Sequence, residues 1–165
     1  MLKPILVENR LQLAFIDTIL QQVNTVDYQQ AFPLAGAPTI GKHIRHVLGH
    51  YAQLQQAVTT GEVDYRQRQR DRLVETNPLA ALGLLQQQLD WLERLAQLNT
   101  NPHLRYQCAE GEGTTSLLRE LDFVASHTVH HLALLNILLQ QLGYLLPETA
   151  GMHSSTLAYL QPCAP

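Results

Sequence analysis

The chain has 165 residues, 45% of them apolar and 15% charged, and carries a net charge of −3. This is one domain's length with enough apolar material for a core that needs no disulfide staples, and it excludes a disordered or fibrous chain. The negative balance offers no basic field to a phosphate backbone, so nucleic acid is not expected as a partner. In chain order, Ile5, Leu6, Leu13, Ile16, Leu20 and Val23 recur at helical spacing and predict helix 1 over residues 4–24. Pro33 and Pro38 interrupt the pattern. Thr39 is placed to N-cap helix 2, IGKHIRHVLGHYAQLQQAV, which stops before Gly61. Asn77–Pro78 has the form of an N-cap followed by proline in the first turn. Helix 3 follows from Pro78 to Leu98, with Leu82, Leu85, Leu89, Leu92 and Leu95 inward and a stop over Asn99 to Pro102. HLRYQCAEGEGTT looks hairpin-like, but its glycines favour a loop. Helix 4 runs from about Ser116 to Leu142 with Gly143 as the C′ residue, and SSTLAYL near the end can form a short helical turn.

Four amphipathic helices of about 20 residues predict an all-α fold, a four-helix bundle in one domain over 1–165. The segment Gly61–Asn77 is long for a structureless link in a compact domain. Extended, it reaches ~50 Å, more than the ~30 Å length of a 20-residue helix. It can cross the whole bundle, so helices 2 and 3 need not be antiparallel neighbours. No apolar run approaches the ~18 residues of a membrane span, and MLKPILVENR turns polar too early for a signal peptide. A soluble, cytoplasmic protein with no membrane partner is expected. The two cysteines, Cys108 and Cys163, form no CxxC and no disulfide framework.

The informative count is eight histidines, six of them in two short segments. His43, His46 and His50 are spaced i, i+3, i+7 and fall within a ~60° arc of helix 2. Leu54 and Ala57 continue that stripe, so it points at the core. On helix 4, His127 and His131 lie one turn apart on a face continued by Leu134, Leu135 and Leu138, and His130 sits to one side. A single inward histidine is ordinary core. Two facing clusters are not, because each unpartnered buried polar group costs ~1–3 kcal/mol and helix backbones have no free partners. A divalent metal satisfies neutral imidazole, with zinc, nickel and iron all accepting it. His127 and His131 form the chelating pair. The third ligand comes from helix 2, where His46 and His50 compete. Three histidines leave a coordination position open, as in catalytic sites.

PTIGKHIRHVLGHY and RELDFVASHTVHHLALLNILL together resemble the DinB-like metal-dependent superfamily, which includes bacillithiol S-transferases and mycothiol-dependent maleylpyruvate isomerases. The family pattern is one helix-2 histidine followed by an apolar residue, plus a helix-4 HxxxH. It falls here on His46, in RHVLGH, and on His127 and His131, in HTVHH. The resemblance spans all four predicted helices. It implies the DinB-like bundle with a crossover between helices 2 and 3, a homodimer, and metal-dependent use of a low-molecular-weight thiol. The histidines at 43 and 50, the DYRQRQRD run and the acidic REL segment depart from plainer members.

Outside the ligand set, His50 is a candidate general base or supporting residue. Glu120, seven residues before His127, is a candidate proton carrier, although ~10 Å of helix separates them. The run Asp64–Asp71 reads either as a solvated linker or as a lid over the metal. In the lid reading Tyr65 and Arg68 bind substrate, an arginine holding a carboxylate. Trp91 is expected in the core or a dimer surface, and Cys108 as non-catalytic. The expected function is a metal-dependent enzyme, a thiol S-transferase or hydrolase, activating a thiol or water against an electrophilic small molecule. The alternative is a non-catalytic metal or small-ligand binding protein.

Overall fold

The structure, a computed structural model, describes residues 2–98 and 100–160. Cys163 and Asn99 therefore lie outside the described residues. The chain is mostly helical, with a small three-stranded sheet. Four long helices carry it: α1 (Lys3–Gln22), α3 (Ile40–Thr60), α5 (Pro78–Leu98) and α6 (Leu117–Gln141). They correspond to predicted helices 1 to 4. The short helices are α2 (Thr25–Gln29), α4 (Arg72–Thr76) and α7 (Ser154–Leu160). α1 packs on α5 and α6, and α3 packs on the same two. Helices 2 and 3 of the prediction, α3 and α5, are thus neighbours despite the long link between them.

The helix ends follow local chemistry. The Thr39 side chain accepts from the Lys42 N–H at 2.9 Å, which satisfies a first-turn donor of α3. Gly61 closes α3 in the left-handed region at φ 77°, where a Cβ would be strained. Asn77 Oδ1 accepts from Leu79 N at the start of α5. Ser116 caps α6 through Arg119 N, and Gly143 follows it at φ 83°. Leu6, Leu13, Ile16, Leu48, Leu54, Leu85, Leu92, Leu121 and Leu132 fill the core from all four helices. Trp91 joins them, 5% exposed.

Two segments differ from expectation. HLRYQCAEGEGTT is not a loop. It forms a hairpin of β2 (His103–Cys108) and β3 (Gly111–Ser116), with His103 opposite Ser116 and Cys108 opposite Gly111. The glycines hide it, because β3 carries few of the β-branched or aromatic residues that mark strands. Its pairing is held by backbone bonds and by buried Leu104. The Gly61–Asn77 link is likewise structured. β1 (Glu62–Val63) pairs in parallel with β2. Asp64 then caps a 3-10 turn, Tyr65–Gln67, and Asp71 caps α4. On the far side, Tyr28 Oη donates to Val74 O and Gln29 Nε2 to Thr76 O, tying α4 to α2. Leu134, read as inward, is 36% exposed. No helix among the described residues is long and apolar enough to cross a membrane.

Candidate metal centre

α3 and α6 present their histidines to one another because a buried polar network fixes their register from below. Asn9, fully buried on α1, donates to Leu121 O at 3.1 Å and accepts from Tyr51 Oη at 2.9 Å. Thr128 Oγ1 donates to Val124 O at 2.6 Å and lies 3.4 Å from Tyr51 Oη. Tyr51 follows His50, and Thr128 follows His127. The network therefore sets the height and rotation at which the two histidine stripes meet.

The His46, His127 and His131 ring nitrogens come within 4.8 Å of one another. His46 Nε2 lies 3.0 Å from His127 Nε2. The ring centroids of His131 stand 4.7 Å from His46 and 4.6 Å from His127. Tetrahedral coordination at 2.0–2.1 Å separates ligand nitrogens by about 3.4 Å, so this donor set fits one ion with small adjustments. Among the described residues no carboxylate joins the cluster. Burial holds every one of these imidazoles below its ordinary pKa. His46 falls to about 4, with Arg68 as the next cause, and His127 and His131 are also lowered. All are neutral at pH 7, the form that ligates metal.

His50 and His43 flank the three. His50 is 4% exposed, and its ring sits 4.2 Å from His127 and 4.6 Å from His46. Its Nδ1–H donates to His46 O at 2.8 Å, which leaves the lone pair on Nε2. Burial lowers its pKa to about 3. His43 Nδ1 lies 2.9 Å from His131 Nδ1, one imidazole donating to the other. It shares the stripe of His46, and that spacing was the only sequence signal for its proximity. His130 is exposed on the rim, 5.2 Å from His131.

The remaining candidates divide. The Tyr65 ring packs against His50 and Phe123, each at 5.1 Å, and Phe123 stacks on His127 at 5.7 Å and 16°. Glu120 is buried but touches no histidine. Its carboxylate accepts from Tyr65 Oη at 2.8 Å and Thr115 Oγ1 at 2.7 Å. The Tyr65 hydroxyl links it to the cluster, and Tyr65 offers a ring face there because that hydroxyl is committed. Thr115 was not legible, since the hairpin that delivers it was read as loop. Arg68 half-buries over α3, with its Cδ near Gly49, and donates to Tyr65 O. It lines the cleft that opens beside His46. Arg66 points elsewhere, into an ion pair with Asp64. Cys108 lies at the hairpin end with its thiol on Gly111 O.

No protein-family model, curated protein or solved structure matches the chain.

Proposed function

We propose that the chain is a metal-dependent enzyme built as a DinB-like four-helix bundle, acting as a thiol S-transferase or hydrolase on an electrophilic small molecule. His46, His127 and His131 would hold one divalent ion, zinc or nickel before iron. The carrying observation is their convergence within 4.8 Å on two helices, with no protein carboxylate among them. Such an ion would supply Lewis acidity, lowering the pKa of a low-molecular-weight thiol or water so that it is nucleophilic at neutral pH. The chain's own residues do the rest. His50, its Nδ1–H committed to His46 O and its ring 4.2 Å from His127, would be the nearby residue placed to take a proton at Nε2. Tyr65 and Phe123 close the His50 side against water with two ring faces. Glu120 fixes Tyr65 in that place and is a positioning residue in this scheme. Arg68 orients the substrate from the opposite wall. The protein works as a homodimer.

One observation favours the non-catalytic reading. His43 stands 2.9 Å from His131, close enough to close the coordination sphere after a ring rotation, which would make a storage or structural site. Metal analysis of the purified protein, with a thiol-transferase screen before and after chelator treatment, separates the two. The enzyme reading expects about one ion per chain and chelator-sensitive transfer. Bound metal without turnover on any thiol, electrophile or ester favours storage.

A further inference from the structure

The cleft beside His46 holds about 400 Å³ and lies between α3, the segment after the 3-10 turn, and α4. Four cations line it, Lys42, Arg45, Arg68 and Arg70, against one carboxylate, Glu75. That carboxylate is already bound by Arg45. In a chain of net charge −3, this is a local concentration of positive charge. Its centre is Arg68. The guanidinium is half-buried, and among the described residues it pairs with no carboxylate. Its one hydrogen bond there is to Tyr65 O, which leaves most of its donor fork uncommitted. It lies in the same cleft as His46, its Cδ close to Gly49 on α3, with Arg70 beside it. A half-buried guanidinium with no carboxylate partner among the described residues is left with open donors. A bound oxyanion would take up those donors, and the arginine fork matches carboxylate and phosphate geometry.

We propose that this cleft is an oxyanion subsite, with Arg68 as its fork and Arg70 and Lys42 on its rim. The substrate brought to the histidines is thus a small molecule bearing a carboxylate or a phosphate. This deepens the metal-enzyme reading and rests on it for the word substrate, but the anion site itself is testable without metal. Lys42 Nζ already donates to Gly36 O and Ala37 O, so it contributes field more than contact.

The test is calorimetric titration of chelator-treated protein with succinate and, separately, inorganic phosphate, at low and high salt. Binding of either that weakens with salt is expected, and the stronger of the two assigns carboxylate or phosphate. Arg68→Gln should weaken it at least tenfold and Arg70→Gln about threefold. Arg68→Lys should recover part of the loss, and Arg105→Gln, which removes an exposed partner of Glu62, should change nothing. Zinc stoichiometry of Arg68→Gln, measured in parallel, should equal that of wild type, which also shows that the variant folds. The proposal is overturned if neither anion binds the metal-free protein, or if Arg68→Gln and Arg70→Gln bind as wild type does. Anion binding in a protein that takes up no zinc would instead sink the metal reading and leave this site standing.

Discussion

Two polar clusters meet between α3 and α6, one residue apart along each, and end differently. Asn9, Tyr51 and Thr128 form a buried set in which the Asn9 amide, the tyrosine hydroxyl and the threonine hydroxyl each meet a partner. The histidines above them meet chiefly one another, imidazole to imidazole, with their basicity suppressed by burial. The first cluster is complete as folded and works as a register pin. The second brings three ring-nitrogen donors within 4.8 Å of one another, close enough to share one ion. A hydroxyl and an amide saturate each other and hold structure, whereas clustered neutral imidazoles are the donor set that a divalent metal accepts.

The largest expected effect is on metal content. His127→Ala and His131→Ala should reduce bound zinc from about one per chain to near none, and His46→Ala should weaken it severely. His50→Ala should retain most metal and lose turnover. Elemental analysis of the four proteins decides it. An empty site in His50→Ala with a full one in His46→Ala would exchange the two roles. Retention of metal by all four would make the histidines core, and the contrast between clusters would collapse.

Stability should move in opposite senses for the two clusters. Tyr51→Phe strands the Asn9 carbonyl and should cost about 1–3 kcal/mol in urea unfolding, with metal affinity kept. His131→Leu, in chelator-treated protein, removes a polar group whose charged form the fold disfavours, and should leave the melting temperature unchanged or raised. Equal losses for both would mean that the histidines are already satisfied without an ion.

Acid should expose the same difference. His46 and His50 are held at about 4 and about 3 by burial, below the ordinary 6.5. Between those values and 6.5 the unfolded chain binds protons that the folded chain refuses. Stability is therefore full above about 6.5 and is lost as pH falls towards 4 and then 3. Urea midpoints at pH 7.5 and 5 should show a drop that shrinks in His50→Leu. The Asn9 cluster titrates nothing in this range and should not contribute to it.

Much of this was legible beforehand because helices announce themselves in one dimension. The 3.6-residue period, Thr39, Ser116 and Gly143 mark where α3 and α6 begin or end, and i, i+4 spacing puts His127 and His131 together. What escaped depends on contacts across the chain. β3 reads as glycine and threonine until β2 pairs with it, and only then does Thr115 reach Glu120. The pairing of His43 with His131 depends on the depth at which α3 meets α6. Asn9 and Tyr51 set that depth, and neither carries a motif. The link after α3 looked structureless because its order comes in short pieces, a two-residue strand and then a 3-10 turn and α4, each of these last two capped by a single aspartate.

The smallest predictions concern two glycines inside helices. A Cβ at Gly83 on α5 would meet nothing within 4 Å, so Gly83→Ala should stabilise by about 1 kcal/mol, measured by thermal unfolding. A Cβ at Gly41 on α3 would fall 1.9 Å from Glu75 O and 2.7 Å from the Tyr28 ring. Gly41→Ala must push α4 away, and should lower stability by about 1–3 kcal/mol.

That close approach also makes residue 41 a historical constraint. Position 83 can drift freely over evolutionary time. Position 41 can accept a side chain only after α4 has retreated, and Glu75, the partner of Arg45, would retreat with it. Any descendant that keeps the wall of the cationic cleft must inherit the bare backbone two residues ahead of His43.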